Sequence, residues 1–248
     1  MKIVVPLNQV PDLVEDLEIA DSGKELDFEV LKMKLNEFDD HALEEALQIK
    51  ESSGGEVTAV AVDGPEVDKV LFTALAKGAD KAVKITGANP HADNHTQARV
   101  LAGAVGQLGA DLVLVGVQSA GDRDGQLGPL LAAYLNWPGV CVVSGLKPEG
   151  GKLTFHKEYA GGLMAEFEVD LPAVMGVQAA RATPRYAPVS KVRQVQTTAK
   201  IESLAAAAAG DVPAASVEKM EPPVKGAGAK MLKSAADIIQ VLKEKGVV

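Results

Sequence analysis

The chain is 248 residues long, 47% hydrophobic and only 4% aromatic, with a formal net charge of −9 at pH 7. That length and apolar content support one sizeable, aliphatic core plus an arm, and the acidic balance excludes a general nucleic-acid binder, which carries a basic surplus. A single cysteine, Cys141, reads as a core thiol; it excludes an internal disulfide or a cysteine-based metal cluster, and makes a reducing, cytoplasmic compartment the expectation.

Met1 to Pro6 is too short an apolar run for a signal peptide, and no stretch approaches the roughly 18 apolar residues of a membrane span, so direct membrane insertion is not expected. Lys2 to Val5 reads as a strand stopped by Pro6, and the loop from Leu7 to Val14 then lies at a strand's carboxyl end, within reach of a ligand. Residues 15–35 mix charges with scattered apolar positions around Asp21-Ser-Gly-Lys24 and read as a solvated hairpin or loop. Asn36 precedes an amphipathic helix carrying Phe38, Ala42, Leu43, Ala46, Leu47 and Ile49 on one side, and Asn36 with Asp39 has the spacing of a capping box. Glu56 to Val62 and Ala79 to Ile85 read as strands, separated by a helix with Val67, Val70, Leu71, Ala74 and Leu75 inward and Gly78 at its end. Asp93 or Asn94 caps the next helix, which carries Ala98, Leu101, Ala102 and Val105. His41, His91 and His95 stand at or beside helix starts without the i, i+4 company of a metal site, and no metal is expected.

Asp111 to Gly116 is a doubly buried strand, Val117 to Gly125 a polar glycine-bearing loop, and Gln126 to Leu135 a helix with apolar residues at 127, 130, 131 and 135. In a parallel sheet this loop sits where backbone can approach a ligand and helix N–H groups face an anion, so a phosphate is the natural guest. An ordinary βα connection remains the alternative, because neither G-x-G-x-x-G nor G-x-x-x-x-G-K-[ST] is present. Gly139 to Val143 is a strand, Lys152 to Tyr159 and Met164 to Val169 form an antiparallel hairpin around Ala160-Gly-Gly162, and Leu171 to Val177 is the last apolar strand. The fold class is therefore α/β: a mostly parallel, doubly wound sheet with an antiparallel margin and helices on both faces. Arg181 to Lys200 is basic and reads as an exposed loop without periodicity. Ile201 to Ala209, with five consecutive alanines, is helical by propensity; Gly210 to Gly228 is a linker, and Lys230 to Lys245 is an amphipathic helix whose Met231, Leu232, Ala235, Ile238, Ile239 and Leu242 need a surface to cover them. No nucleophile, base and orienter occur as a set, so an enzyme acting alone is not expected.

Several runs share one resemblance. Leu114-Val-Gly116-x-Gln118-Ser119-x-x-Asp122, followed by Gln126-x-Gly128 and Leu135-Asn-Trp-Pro138, is similar to the signature loop of electron transfer flavoprotein β subunits. Asn36-Glu-Phe-Asp-Asp-His-Ala-Leu-Glu-Glu-Ala46, Ala74-Leu-Ala-Lys-Gly-Ala-Asp80, Gly161-Gly-Leu163, Leu171-Pro-Ala-Val174 and Pro184-Arg-Tyr186 match in the same order. Together they span residues 3 to about 190. The resemblance implies one half of a heterodimeric electron carrier in which a separate α subunit holds most of an FAD and the β subunit binds AMP as a redox-inert structural nucleotide. It implies electrons passing from acyl-CoA dehydrogenase-type flavoenzymes towards a membrane-associated quinone oxidoreductase. The AMP site it implies comprises Pro6, Asn36, Glu37, Phe38, Asp39, Val62, Gly116, Gln118, Ser119, Ala120, Gly121, Asp122, Arg123, Asp124, Gly125, Gln126 and Leu127, with helix N–H groups and Ser119 or Gln126 as candidates for the phosphate.

The resemblance also divides the chain into a core, 1–200, that includes a partner-docking loop at 178–200, and an arm, 201–248, that packs on the α subunit. In the docking loop it points to Arg181, Pro184, Arg185 and Tyr186. Pro6 and Asn8 stand where the family usually has alanine and lysine. Arg181-Ala-Thr183 replaces the family's Leu-Asn-Glu, whose leucine enters an apolar pocket of the partner. Burying an unpaired arginine there would cost several kcal/mol, so Arg181 is expected to meet a partner's carboxylate; the alternative has Arg181 in solvent and another side chain, such as Val189, as anchor. Two other readings stand beside the AMP-binding carrier. One is the electron-bifurcating type, which uses NADH and holds a second FAD in the β subunit: Gln126-Leu-Gly-Pro129 leans towards it, and Gly121-Asp-Arg-Asp-Gly125 leans away. The other is a stand-alone ATP-binding or adenylating α/β domain, for which the triphosphate loop and magnesium ligands are missing.

Overall fold

In the computed structural model, which describes residues 1–248 apart from 15, 209, 211–213, 225 and 227, the β-branched runs of the first half become the centre of an open sheet. Its parallel strands are β1 (Lys2–Pro6), β4 (Glu56–Val62), β5 (Lys81–Thr86), β6 (Leu112–Gly116), β10 (Ala173–Val177) and β11 (Glu202–Ala205). β7 (Gly139–Glu149) runs parallel to β10, and β8 (Lys152–Tyr159) and β9 (Leu163–Asp170) complete an antiparallel margin. The nine strands stand in the order β11-β5-β4-β1-β6-β10-β7-β8-β9. A separate ribbon pairs β2 (Gln9–Pro11) with β3 (Met33–Leu35).

Alternation along the strands sends successive side chains to opposite faces. Ile3, Val5, Val57, Leu112 and Met175 pack under α1 (Glu37–Ser53) and α2 (Val67–Lys77) through Leu43, Leu47 and Leu71. Val4, Val60, Val83 and Val113 pack on the other face under α3 (Asn94–Leu108) and α4 (Leu127–Leu135), against Leu101, Val105 and Leu131. Each of these larger side chains contributes roughly 1.5–3 kcal/mol when fully buried. Asp93 caps α3, its carboxylate accepting from the His95 and Thr96 N–H groups.

Four sequence expectations change. Residues 15–35 are not wholly solvated: β2 and β3 bracket them, Leu31 and Met33 are buried, and only the tip, around an Ile19–Leu26 bridge, is a loose hairpin. The basic stretch contains a helix, α5 (Val189–Thr198), begun after Pro188, whose half-buried Val192 and Val195 lie at i, i+3 spacing and which packs on α2. Ile201–Ala209 is not helical where it is described: residues 202–205 are β11, in register with Val83–Thr86 of β5. Ala209 falls outside the described residues. Alanine's helix preference is a few tenths of a kcal/mol per residue, and the ladder bonds offered by the otherwise open edge of β5 outweigh it. Small side chains also suit the site, since a Cβ at Gly103 in α3 would come within 2.8 Å of the Ala207 methyl. Finally, the terminal helix α6 (Ala235–Glu244) starts later than its apolar spacing suggests, because Ser234 and Asp237 form a capping box there.

Candidate functional site

The crossover direction reverses at β1, whose neighbours are β4 and β6. In open α/β sheets the crevice outside the carboxyl ends of the strands at such a point is where ligands bind. Here its walls are the chain from Pro6 at the end of β1 to Gln9 at the start of β2, the start of α1, and the loop from Gly116 to Leu127.

Asp39 holds these walls together. It is 2% exposed; one carboxylate oxygen accepts from the Asn8 N–H at 2.8 Å and the other from the Gly116 N–H at 3.1 Å. Burial pushes its carboxyl up to about 7, against the pull of those hydrogen bonds. Asn36 does not cap α1; its amide donates to the Gln118 carbonyl at 2.9 Å. The expected Asn36–Asp39 capping box is therefore absent, both side chains being turned across the crevice to the loop. Gly116 must be glycine, since a Cβ would lie 2.4 Å from Asp39 Oδ1 and 2.7 Å from backbone of Phe38 and Asp39. Gly116→Ala is expected to lower stability by about 1–3 kcal/mol, read as a fall in the urea midpoint at unchanged slope.

A second correction concerns the phosphate donors. The Asp122 carboxylate accepts from the Gln126 N–H at 3.1 Å and the Leu127 N–H at 3.0 Å, so the first amides of α4 already face an anion from the chain itself. Asn94 donates to the same carboxylate. A phosphate at that spot would meet Asp122's charge. Ser119 remains suited to donate outward: its oxygen accepts from the Asp122 N–H, leaving its own O–H available. The loop folds back on itself at Gly125, with φ 65° and a Cβ position 2.6 Å from the Val117 carbonyl oxygen. Ala120, Gly121, Arg123 and Asp124 form the rim, Arg123 and Asp124 being exposed. Glu37 is exposed and Phe38 half-buried at the first turn of α1.

Val62 lies on the other side of β1 from this loop, in a narrow cleft with Asn8, Gln9, Pro65, Pro90 and His91. Among the described residues the Gln9 amide nitrogen is buried there without a hydrogen-bond partner. An orphaned donor of this kind can meet a ligand's acceptor. The crevice thus has glycine-shaped backbone on one side and an unmatched donor on the other. Gln9 and Asn94 are not among the site residues that the sequence singles out, and Asn8 stands there only as a departure from the family, although the loop from Leu7 to Val14 reads as within reach of a ligand.

The docking-loop residues lie elsewhere, along the side of α1. Arg181 donates from its backbone N–H and its Nε to Glu45, both at 2.9 Å, and Glu45 is 0% exposed. Arg185 forks onto Glu44 and Glu51, and its own N–H also reaches Glu44. Burial opposes the Glu44 charge, yet Arg185 holds its carboxyl below the usual range. Glu44 and Glu51 in turn raise the Arg185 guanidinium. The expectation that Arg181 keeps its charge for a partner's carboxylate is thereby corrected, since a buried carboxylate of its own chain takes it. Pro184 is half-buried, while Tyr186 is 81% exposed. Cys141 lies against Gly128 and Gly176, and burial pushes its thiol up to about 11, so it is unreactive at neutral pH. Among the described residues no group of three or more His, Cys, Asp and Glu could hold a metal ion, and no helix is long and apolar enough to cross a membrane.

These features define a class: an open, doubly wound α/β domain with its crevice at the switch point and a glycine-bearing loop closing it. The family model of the electron transfer flavoprotein domain matches residues 27–233. The chain is 38% identical to the electron transfer flavoprotein subunit beta of Methylophilus methylotrophus, with 98% of each chain covered. It is 29% identical to that of Bradyrhizobium diazoefficiens over 100% of each chain, and 32% identical to that of Syntrophomonas wolfei over 93% of this chain and 90% of that one. The chain belongs to the electron transfer flavoprotein family, as a β subunit. Membership makes it an electron-transfer subunit associated with a flavoprotein and implies an α-subunit partner.

Proposed function

We propose that this β subunit binds AMP in the crevice and completes, with its α subunit, a carrier that takes electrons from acyl-CoA dehydrogenase-type flavoenzymes and passes them towards a membrane-associated quinone oxidoreductase. The observation that carries the nucleotide reading is Gly116, where the loop backbone lies against Asp39 and the start of α1 too closely for any side chain. FAD, held mainly by the α subunit, supplies the redox chemistry. The residues of this chain shape the crevice, with Asn36 and Asp39 fixing the loop, Ser119 offering a hydroxyl and Gln9 an amide donor. The Gly128-Pro129 ending of the loop supports the bifurcating alternative, in which a second FAD takes the same place.

Denaturing the purified two-chain complex and identifying the released nucleotides tests the assignment. Equal amounts of AMP and FAD support it, two FAD per complex favour the bifurcating type, and a colourless chain that hydrolyses ATP would overturn both.

The arm, residues 206–248, is proposed to pack on the α subunit. Ile238 and Ile239 of α6 are 50% and 52% exposed, on a helix with no buried residue of its own. Deleting residues 229–248 is expected to leave the unfolding midpoint of the isolated chain unchanged and to weaken α-subunit binding at least about tenfold, the equivalent of burying one such side chain. An unchanged dissociation constant would refute the assignment. For docking of the redox partner, exposed Tyr186 and Val189 are the proposed contacts, in place of the ion-paired Arg181 and Arg185.

A further inference from the structure

Gly116, at the root of the crevice loop, is paired in register with Val177 at the end of β10. The chain leaves β10 directly into residues 178–186, so the crevice loop and this segment start from the same rung of the sheet. α1 supplies a second connection. At its amino end Asn36 donates to the Gln118 carbonyl and Asp39 accepts from the Gly116 N–H. Further along the same helix His41 accepts from the Ala180 N–H, Glu45 from Arg181 and Glu44 from Arg185. Seventeen residues of helix span about 25 Å, and one end floors the crevice while the middle floors the segment.

Glu44 and Glu45 are 4% and 0% exposed. Carboxylates at that depth are costly unless fully paired, and among the described residues their partners are on this one segment or, for Glu44, also on Gln48 within the helix. The pairing geometry is bidentate and includes backbone N–H groups as well as guanidinium, so it fixes the path of the chain and not merely the position of a side chain.

We propose that a nucleotide in the crevice and residues 180–186 form one cooperative unit joined through α1 and the Gly116–Val177 rung, so that binding the nucleotide fixes the docking segment. The inference rests on the nucleotide reading above and gives a redox-inert AMP a task in partner recognition. Ordering the loop and the first turn of α1 removes part of the entropy that the segment would otherwise lose when a partner orders it. Linkage makes the effect mutual: a partner that fixes the segment tightens the nucleotide by the same factor.

The test is amide hydrogen exchange over residues 180–186 in the full-length chain bound to its α subunit, at AMP concentrations from zero to saturation and in parallel with FAD. Exchange there is expected to slow about 5-fold or more on saturation, with the β8–β9 hairpin unchanged. Glu45→Gln and Glu44→Gln are expected to abolish the slowing and to weaken the nucleotide by no more than the factor lost. Should either variant fail to fold, Glu51→Gln, at an exposed member of the clasp, is expected to reduce the response. Nucleotide binding without any change over 180–186, or a change that persists in the Gln variants, overturns the inference and leaves the nucleotide site standing. Failure to bind either nucleotide overturns both.

Discussion

Arg181→Leu is expected to destabilise the chain by about 2–4 kcal/mol, because it leaves the fully buried Glu45 carboxylate without its counter-charge. The figure sits below the roughly 3–5 kcal/mol seen for fully buried pairs because the Arg181 side chain is 31% exposed. Removing both charges with the double substitution Arg181→Leu, Glu45→Leu is expected to recover most of the loss, since an apolar pair of similar volume carries no desolvation penalty. Urea unfolding of the two single variants, the double variant and the parent closes the cycle. If Arg181→Leu unfolds at the parent's midpoint, the ion pair contributes nothing and Arg181 is again open to a partner. The same cycle bears on docking: a leucine at 181 changes the fold of the segment as well as its polarity, so loss of electron transfer in that variant alone would not identify an anchor.

Asp39→Asn is expected to cost about 1–3 kcal/mol at pH 5, because an amide group would turn one N–H donor against the Asn8 or Gly116 N–H that now meets an oxygen. The pH dependence has a definite sign. Asp39's folded carboxyl lies at about 7, above its unfolded value near 3.8, so the folded state binds more protons over that interval. Its contribution is fully present below about pH 4 and is lost as pH rises towards 7. The amide that replaces the carboxyl in the variant does not titrate, so the gap between parent and variant should narrow from pH 5 to pH 8. A gap that stays constant over the same range would mean that the two backbone donors outweigh burial and that Asp39 is ionised throughout. Nucleotide retention should fall with stability, since the bonds that hold Gly116 are the ones removed.

The sheet's middle was legible because β1, β4, β5, β6 and β10 are short β-branched or apolar runs buried on both faces, a local property. So were the four helices that cover them. β11 was not, because its pairing depends on the open edge of β5, more than a hundred residues earlier, and five alanines speak only for helix. α5 was hidden by Pro184 and Pro188 and by a stripe of just three valines. At the crevice, composition located the glycine loop, and the family resemblance supplied the AMP and docking assignments. What neither supplied was the direction of the acidic side chains. In sequence Asp122 reads as one of the nucleotide-site residues and in the fold it is a cap, Asp39 reads as part of a cap and is a brace, and Glu44 and Glu45 stand outside the apolar side of their helix with no role attached. Charge patterns along one element do not say which distant backbone groups need an acceptor.

Because β11 closes the sheet from the far end of the chain, β5 has no neighbour on one side until residue 205 has been synthesised. A nascent chain that has already folded β1 to β6 therefore presents a six-residue strand, Lys81–Thr86, with an unsatisfied row of ladder groups, the kind of edge on which chains associate. The lysines at its first and fourth positions work against such pairing, and β11, when it arrives, replaces that edge with a shorter one of four residues bearing Glu202 and Ser203. Residues 202–205 are thus a shield for the ribosome-bound protein as much as a strand of the finished one, and chains ending before them should be lost to aggregates while chains ending just after them remain in solution.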